Sequence, residues 1–238
     1  MLENKEVRLI LSPKSSAKLN MAIDKALVNS FKIEESIIFR VYSWEKSFTI
    51  GIGQDLDNYK EFKEKYNNNC SKRITGGGVL FHGHDISYSF LISSKLLGNL
   101  GVKESYEKIC QFLLTFYKDL GLKPSFVKDN EDIGLMKSDF CQVGFETYDI
   151  IVNGKKIGGN AQKRTSKLIF QHGSIPLKKT DNSSIIGTTL EDLGIILDED
   201  EAQQRLVDAF KKCFNVDYKI SQLTKNEEEN LNKILEGK

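Results

Sequence analysis

Three segments of the sequence hold residues whose types and spacing can do chemistry. The first is 153-NGKKIGGNAQKR-164, a lysine set against two glycines and two amides. A lysine held beside a reacting group can polarise an acyl carbonyl or lower the pKa of a nearby thiol. Gly158 and Gly159 remove side-chain bulk where a ligand would touch backbone. Read as one strand, Lys156 and Gly158 share a face, and Ile157 and Gly159 share the other. A second reading of the same residues is a hairpin turning at Asn153-Gly154, with Lys156 as a surface lysine.

The second segment is 73-RITGGG-78. Three glycines between a basic residue and a strand permit positive φ, and their N–H groups can meet carbonyl or phosphate oxygens. No Gly-Lys-Ser/Thr follows and no GxGxxG opens a helix, so neither a P-loop nor a dinucleotide fingerprint is present. A tight hairpin loop fits the triplet as well. The third segment centres on Cys141, between a polar loop and a strand, where a thiol is either an accessible nucleophile or a buried apolar group. Cys110 and Cys213 lie on apolar helix faces and read as core thiols, and Cys70 sits in a polar loop. His82 and His84 alternate along a predicted strand and share a face, but no third ligand is identifiable, so no metal site is assigned. His172, followed by Gly173, reads as a hydrogen-bonded structural histidine or a pocket wall.

These residues need elements to position them. Leu19, Ile23, Ala26, Leu27 and Phe31 form one stripe of a helix over 15–31, with serines in front to cap it. Segments 36–44 and 47–53 read as strands separated by a short charged turn. A short polar helix follows over 57–66. Residues 71–93 read as a glycine loop between strands. The strongest helical pattern covers 102–120, and Gly121 is placed to end it in left-handed conformation. Strands 147–153 and 167–177 bracket the lysine segment. After residue 198 the pattern is mostly helical, with a charged helix at the C-terminus. The reading is an α/β (α+β) chain: a catalytic domain over 1–198 and a helical C-terminal extension over 199–238 packed on it.

Composition narrows the function classes. Lys plus Arg is 34 and Asp plus Glu is 33, so bulk electrostatic binding to nucleic acid or an anionic membrane is not expected. The sequence holds no apolar run of about 18 residues and no signal-peptide core at its N-terminus. A cytoplasmic protein is the expectation. The four cysteines form no CxxC pair, so free thiols are expected rather than a zinc or redox motif.

Taken in order, LNMAIDKAL, FRVYSW, TIGIGQ, KRITGGGVLFH, ISYSF, KKIGGNAQKR and IFQHGSIPL resemble the biotin/lipoate protein ligase family, specifically its lipoate ligases and octanoyltransferases. The likeness runs over roughly residues 16 to 214. It implies a mixed β-sheet flanked by helices and a long pocket for a C8 acyl chain. Arg73, Thr75, Gly76, Gly77, Gly78, His82, Gly158, Gly159, Asn160, Ala161, Gln162, His172 and Gly173 become substrate-binding candidates. Lys156 matches the lysine that contacts the acyl carbonyl.

Within the family, one octanoyltransferase group carries its nucleophilic cysteine in the loop ahead of the strand that precedes the lysine motif. Cys141 has that position. Cys141 and Lys156 are therefore the catalytic candidates. The donor implied is octanoyl-acyl carrier protein, and the acceptor a lysine of a lipoyl-domain protein such as a glycine-cleavage H-type protein. No metal or organic cofactor is implied. ETYD replaces the glycine-arginine-asparagine-aspartate run of typical ligases, and the chain is too short for their C-terminal accessory domain. Other features point towards the ligases: Gly78 completes a ligase-like triple glycine, and Gly83 stands where an acidic residue is expected, with Asp85 two positions on. The alternatives are an ATP- and Mg²⁺-dependent lipoate ligase or an octanoyl/lipoyl amidotransferase. A non-catalytic acyl- or biotin-binding regulator would leave Cys141 and Lys156 idle, and no helix-turn-helix signal precedes the domain.

Overall fold

The computed structural model describes residues 2–32, 36–98, 100–130, 145–180 and 187–237. Its centre is a six-stranded mixed sheet whose strands lie in the spatial order 159–164, 168–176, 85–93, 37–43, 6–11 and 217–220. The strands are β1 (Glu6–Leu11), β2 (Ile37–Ser43), β6 (Asp85–Ser93), β10 (Gly159–Arg164), β11 (Leu168–Pro176) and β12 (Asp217–Ile220). β10, β11, β6 and β2 pair antiparallel, whereas β2–β1 and β1–β12 pair parallel.

Helices cover both faces, which explains why β2 and β6 are buried at every residue. Side chains alternate across a strand. Phe39 and Phe90 therefore point one way, onto Phe112 of α3 (Val102–Asp119) and Phe210 of α4 (Glu199–Phe214). Phe39 stacks on Phe210 with ring centroids 4.2 Å apart. Ile38 and Leu91 point the other way, into a cluster with Ile23 and Leu27 of α1 (Ala17–Ser30) and Leu231 of α5 (Lys225–Leu235). The caps follow from local sequence. Ser16 accepts from Leu19 N to start α1, and Asp198 accepts from Glu201 N to start α4. Gly121 closes α3 at φ +79°.

Two three-stranded sheets flank this layer. In one, β3 (Ser47–Ile50) lies between β4 (Cys70–Lys72) and β5 (Leu80–His82), packed through Phe48 and Phe81 on Phe62 of α2 (Lys60–Lys65). In the other, β8 (Ile150–Val152) pairs with β7 (Pro124–Phe126) and β9 (Lys155–Lys156).

The structure corrects several local expectations. The strand expected over 47–53 ends at Ile50, and it enters a different sheet from β2. The mostly helical region after residue 198 also holds a strand not expected there, β12, which lies parallel beside β1. The lysine segment is not one strand. β9 ends at Lys156, Gly158 turns at φ +73°, and β10 begins at Gly159 in the central sheet. The face alternation expected across residues 156–159 is lost at that bend. His82 and His84 are likewise not on one strand, since Gly83 at φ +103° separates β5 from β6. Among the described residues, no helix is long and apolar enough to cross a membrane.

Candidate functional site

A narrow cleft opens on the α1 side of the central sheet. Gly159, Ala161, His172, Ser174 and Ser87 form its floor, with Met21, Tyr42, Trp44, Leu80, His82 and Arg73 around it. The floor is shallow for a reason visible in the register. Gly159 and Ala161 stand opposite Ser174 and His172, so β10 gives this face almost no side-chain bulk. Asn160 and Gln162 fall on the opposite face by strand alternation. There Asn160 Oδ1 accepts from Tyr88 OH at 2.8 Å, and Gln162 Nε2 donates to Gln171 Oε1 at 3.0 Å. Asn160 still lines the cleft, but both amides, predicted as substrate contacts, direct their side chains into a polar layer beneath the sheet. That layer includes the buried thiol of Cys110, whose pKa burial pushes up to about 12. Gly173 is tight against the same layer: a Cβ there would lie 2.1 Å from Asn160 Oδ1.

The glycine loop reaches the cleft through Arg73, which lines it, and through Thr75, which meets His172. It crosses the end of β3, where Ile52 N donates to Thr75 O and a Cβ on Gly51 would lie 2.1 Å from Gly77 O. Arg73 is buried and braces the loop from inside. Its Nη2 donates to Gly78 O at 2.6 Å and Gly76 O at 3.3 Å, and its Nη1 donates to Thr49 Oγ1 at 2.9 Å. Gly76 and Gly77 are exposed, and Gly77 takes φ +96°.

Two buried carboxylate–histidine pairs reach this loop. Asp24 accepts from Arg40 Nη1 and Ser89 Oγ, each at 2.7 Å, and lies 3.5 Å from His172 Nδ1. His172 Nε2 meets Thr75 Oγ1 at 2.7 Å. Burial alone would raise the Asp24 carboxyl, but the His172 hydrogen bond and the Arg40 charge outweigh it and hold it below the ordinary range. Burial lowers the His172 pKa, opposed in part by Asp24. In the second pair, Asp85 Oδ2 lies 2.9 Å from His82 Nδ1 and accepts from Ser174 Oγ at 2.6 Å. Burial would raise Asp85 too, and His82 pulls it down. His82 stacks on Trp44 with centroids 3.8 Å apart and 13° between planes. His84 takes no part in the cleft, and among the described residues no cluster of His, Cys, Asp or Glu has a metal-ligand arrangement.

Lys156 is 7% exposed and pairs with Asp149 at 2.6 Å. The Asn153-Gly154 hairpin (φ +50° and +73°) returns β9 onto β8 and buries the lysine. The two readings of the segment are thus one structure: a hairpin delivers Lys156, and the Gly158 bend leads on to the cleft strand. Burial raises the Asp149 carboxyl, and Lys156 offsets this only in part. Cys141 lies outside the described residues.

Sequence reasoning gave no role to Asp24, Asp149, Tyr42 or Trp44. One signal was present: Ala17, Asn20, Met21, Asp24 and Leu27 share a helical face, so Asp24 is a charge inside a buried stripe. Arg40, inside the apolar run of β2, is its complement.

Comparison with known proteins identifies the family. Residues 16–212 match the family described as lipoyl protein ligase A/B catalytic domain. The octanoyltransferase LipM of Oceanobacillus iheyensis is 32% identical over 166 residues, 68% of this chain and 60% of that protein. LipM of Bacillus cereus is 34% identical over 183 residues, 71% of this chain and 64% of that protein. The chain therefore spans less than two thirds of the length of these relatives. A solved chain of a bi-partite lipoate protein ligase from Thermoplasma acidophilum superposes with TM-score 0.74 at 20% identity, covering 98% of this chain and 93% of that one. That likeness shows the fold. The family match over most of the chain, on a fold of this kind, means that the protein belongs to the lipoyl protein ligase A/B catalytic domain family.

Proposed function

We propose that the protein is an octanoyltransferase that moves octanoate from octanoyl-acyl carrier protein to a lysine of a lipoyl-accepting protein through a thioester on Cys141. The observation that carries this reading is Lys156, a cation held almost out of water by Asp149 at the entrance to a strand that gives the cleft a floor of Gly159 and Ala161. A linear acyl chain fits such a floor, and in this reading the Lys156 charge turns to meet the charge that develops on a thioester carbonyl. The similarity to proteins named octanoyltransferase LipM supports the same choice.

In this mechanism the Cys141 thiolate, favoured by the Lys156 charge, attacks the donor thioester carbonyl. Lys156 steadies the oxyanion. The C–S bond to the carrier breaks, and the carrier thiolate takes a proton to leave as thiol. The acceptor lysine, as free amine, then attacks the enzyme thioester. An amide forms, Cys141 is released, and the amine proton returns to the Cys141 thiolate. The covalent step splits one transfer between two large carriers into two simpler displacements. Thioester to amide runs downhill, so the scheme uses no ATP. The glycine loop and His172 line the acyl site, with Thr75 held against His172.

The test is acyl transfer to a purified lipoyl domain, from octanoyl-acyl carrier protein without nucleotide in one arm and from free octanoate with ATP and Mg²⁺ in the other. Transfer in the first arm supports the reading. Transfer in the second arm alone would make the protein a ligase and overturn it.

A further inference from the structure

We infer that Asp85 is a positioning residue that fixes the Arg73 guanidinium at the cleft, acting through His82 and Thr49. A buried chain of contacts joins the four residues. Arg73 Nη1 lies 2.9 Å from Thr49 Oγ1, Thr49 Oγ1 lies 2.8 Å from His82 Nε2, and His82 Nδ1 lies 2.9 Å from Asp85 Oδ2. All four residues are at most 4% exposed.

The hydrogens along this chain can be counted. A guanidinium only donates, so Thr49 must accept from Arg73. Thr49 has one hydrogen of its own, and among the described residues its hydroxyl meets only Arg73 and His82. That hydrogen therefore goes to His82 Nε2, which must be bare. The ring proton then sits on Nδ1, facing Asp85. An ionised carboxylate only accepts, so this end closes correctly. The chain runs in one direction: Arg73 to Thr49 to His82 to Asp85. Its other partners hold Asp85 in place, since Gly83 N donates to Oδ1 at 3.2 Å and Ser174 Oγ to Oδ2. Trp44 stacked on the His82 ring stops it turning.

At the far end the gain is geometric. Arg73 spans the loop carbonyls of Gly76 and Gly78 with Nη2 while Thr49 holds Nη1. The carboxylate thus sets the tautomer of His82, the tautomer sets the direction of the Thr49 hydroxyl, and the hydroxyl sets the guanidinium that shapes the cleft wall. A second-layer carboxylate orienting an imidazole is a known physical device at ligand sites. The relay stands on these contacts alone, and only its kinetic consequence rests on the proposed acyl-transfer reaction.

The experiment uses the full chain labelled with ¹⁵N, whose three histidines make ring-nitrogen spectra tractable. The wild type should show the His82 ring proton on Nδ1 and a bare Nε2. In Asp85→Asn the amide oxygen stays opposite Gly83 N, so the amide N–H group faces His82 Nδ1, and the His82 proton should move to Nε2 while His172 keeps its own tautomer. The Thr49 hydrogen then loses its acceptor, and the KM for octanoyl-acyl carrier protein should rise about tenfold with kcat within about twofold. Thr49→Val removes the relay without touching Asp85. It should leave the His82 tautomer unchanged, give the same rise in KM, and carry the test if Asp85→Asn fails to fold. A wild-type His82 that is doubly protonated or protonated on Nε2 overturns the proposal. So does an unchanged KM in both variants. If the wild type transfers no acyl group, the proposed reaction fails on its own. The relay is then judged by solvent exchange of the Arg73 side-chain N–H signals. They should be slow in the wild type and fast in Thr49→Val, and equal rates overturn it.

Discussion

The cleft floor and wall depend on a buried charge, and replacing Asp24 by leucine tests how much. Asp24 is fully buried and takes hydrogen bonds from Arg40 at 2.7 Å, Ser89 at 2.7 Å and Tyr42 at 3.2 Å. Arg40 is itself fully buried. It keeps Asn20 Oδ1 at 2.6 Å, Ser12 Oγ at 2.9 Å and the Tyr42 ring at 3.9 Å, but none of these is charged. Removing one member of such a pair leaves an uncompensated buried charge and costs about 3–5 kcal/mol. With an m-value of about 2–3 kcal/mol per molar urea, the unfolding midpoint should fall by roughly 1.5 M. Removing both charges, Asp24→Leu with Arg40→Met, eliminates the stranded cation. The double variant should therefore be more stable than Asp24→Leu alone. The assay is equilibrium urea unfolding of the wild type, both single variants and the double variant. Losses that simply add in the double variant would refute the reasoning, because two residues sharing a buried ion pair must couple.

Two further outcomes come from the same geometry. Gly158→Ala puts a Cβ 2.4 Å from Ser174 O at a φ of +73°. Backbone strain alone should cost about 1–3 kcal/mol, and acyl transfer should fall further than stability because the bend carries Lys156. Gly53→Ala, where a Cβ meets nothing within 4 Å, is the control, with thermal melts and transfer rates as the readouts. Stability should also decline from about pH 7.5 to pH 5.5. Burial lowers the folded-state pKa of His172 and of His84 below 6.5. In that window the unfolded chain binds protons that the fold refuses, so unfolding gains. Asp24 and Asp85 have folded pKa values below 3.8. Their contribution is present above the unfolded value and is lost only at more acid pH, as it passes through the folded values. Urea midpoints across this range check the sign, and a midpoint that rises on acidification would contradict it.

Much of the frame is legible in the sequence because it rests on periodicity. The α1 and α3 stripes and the runs of β2, β6 and β11 each state their own burial. What escapes is set by pairing partners far away in sequence. β12, with the sequence DYKI, has no apolar run and exists because β1 offers it a parallel edge. Gly158 has the pattern of an ordinary strand glycine, and only the close approach of Ser174 O makes it a bend. The glycine loop, Lys156 and His172 can be named from residue type and order. Asp85 and Asp149 can be noticed by their order beside the motifs, but the roles of Asp24, Asp85 and Asp149 cannot be named, because they come from contacts with His172, His82 and Lys156, and for Asp24 that partner lies far along the chain. Asn160 and Gln162 have the chemistry of ligand contacts, but strand alternation turns both side chains to the far face.

The central claim is the covalent intermediate, and intact-protein mass spectrometry reaches it most directly. The protein is incubated with octanoyl-acyl carrier protein without nucleotide, alongside Cys141→Ala. The account predicts an octanoyl mass gain on the wild type that hydroxylamine removes and the variant lacks. An unmodified wild type that acylates a lipoyl domain only when octanoate and ATP are supplied would contradict it.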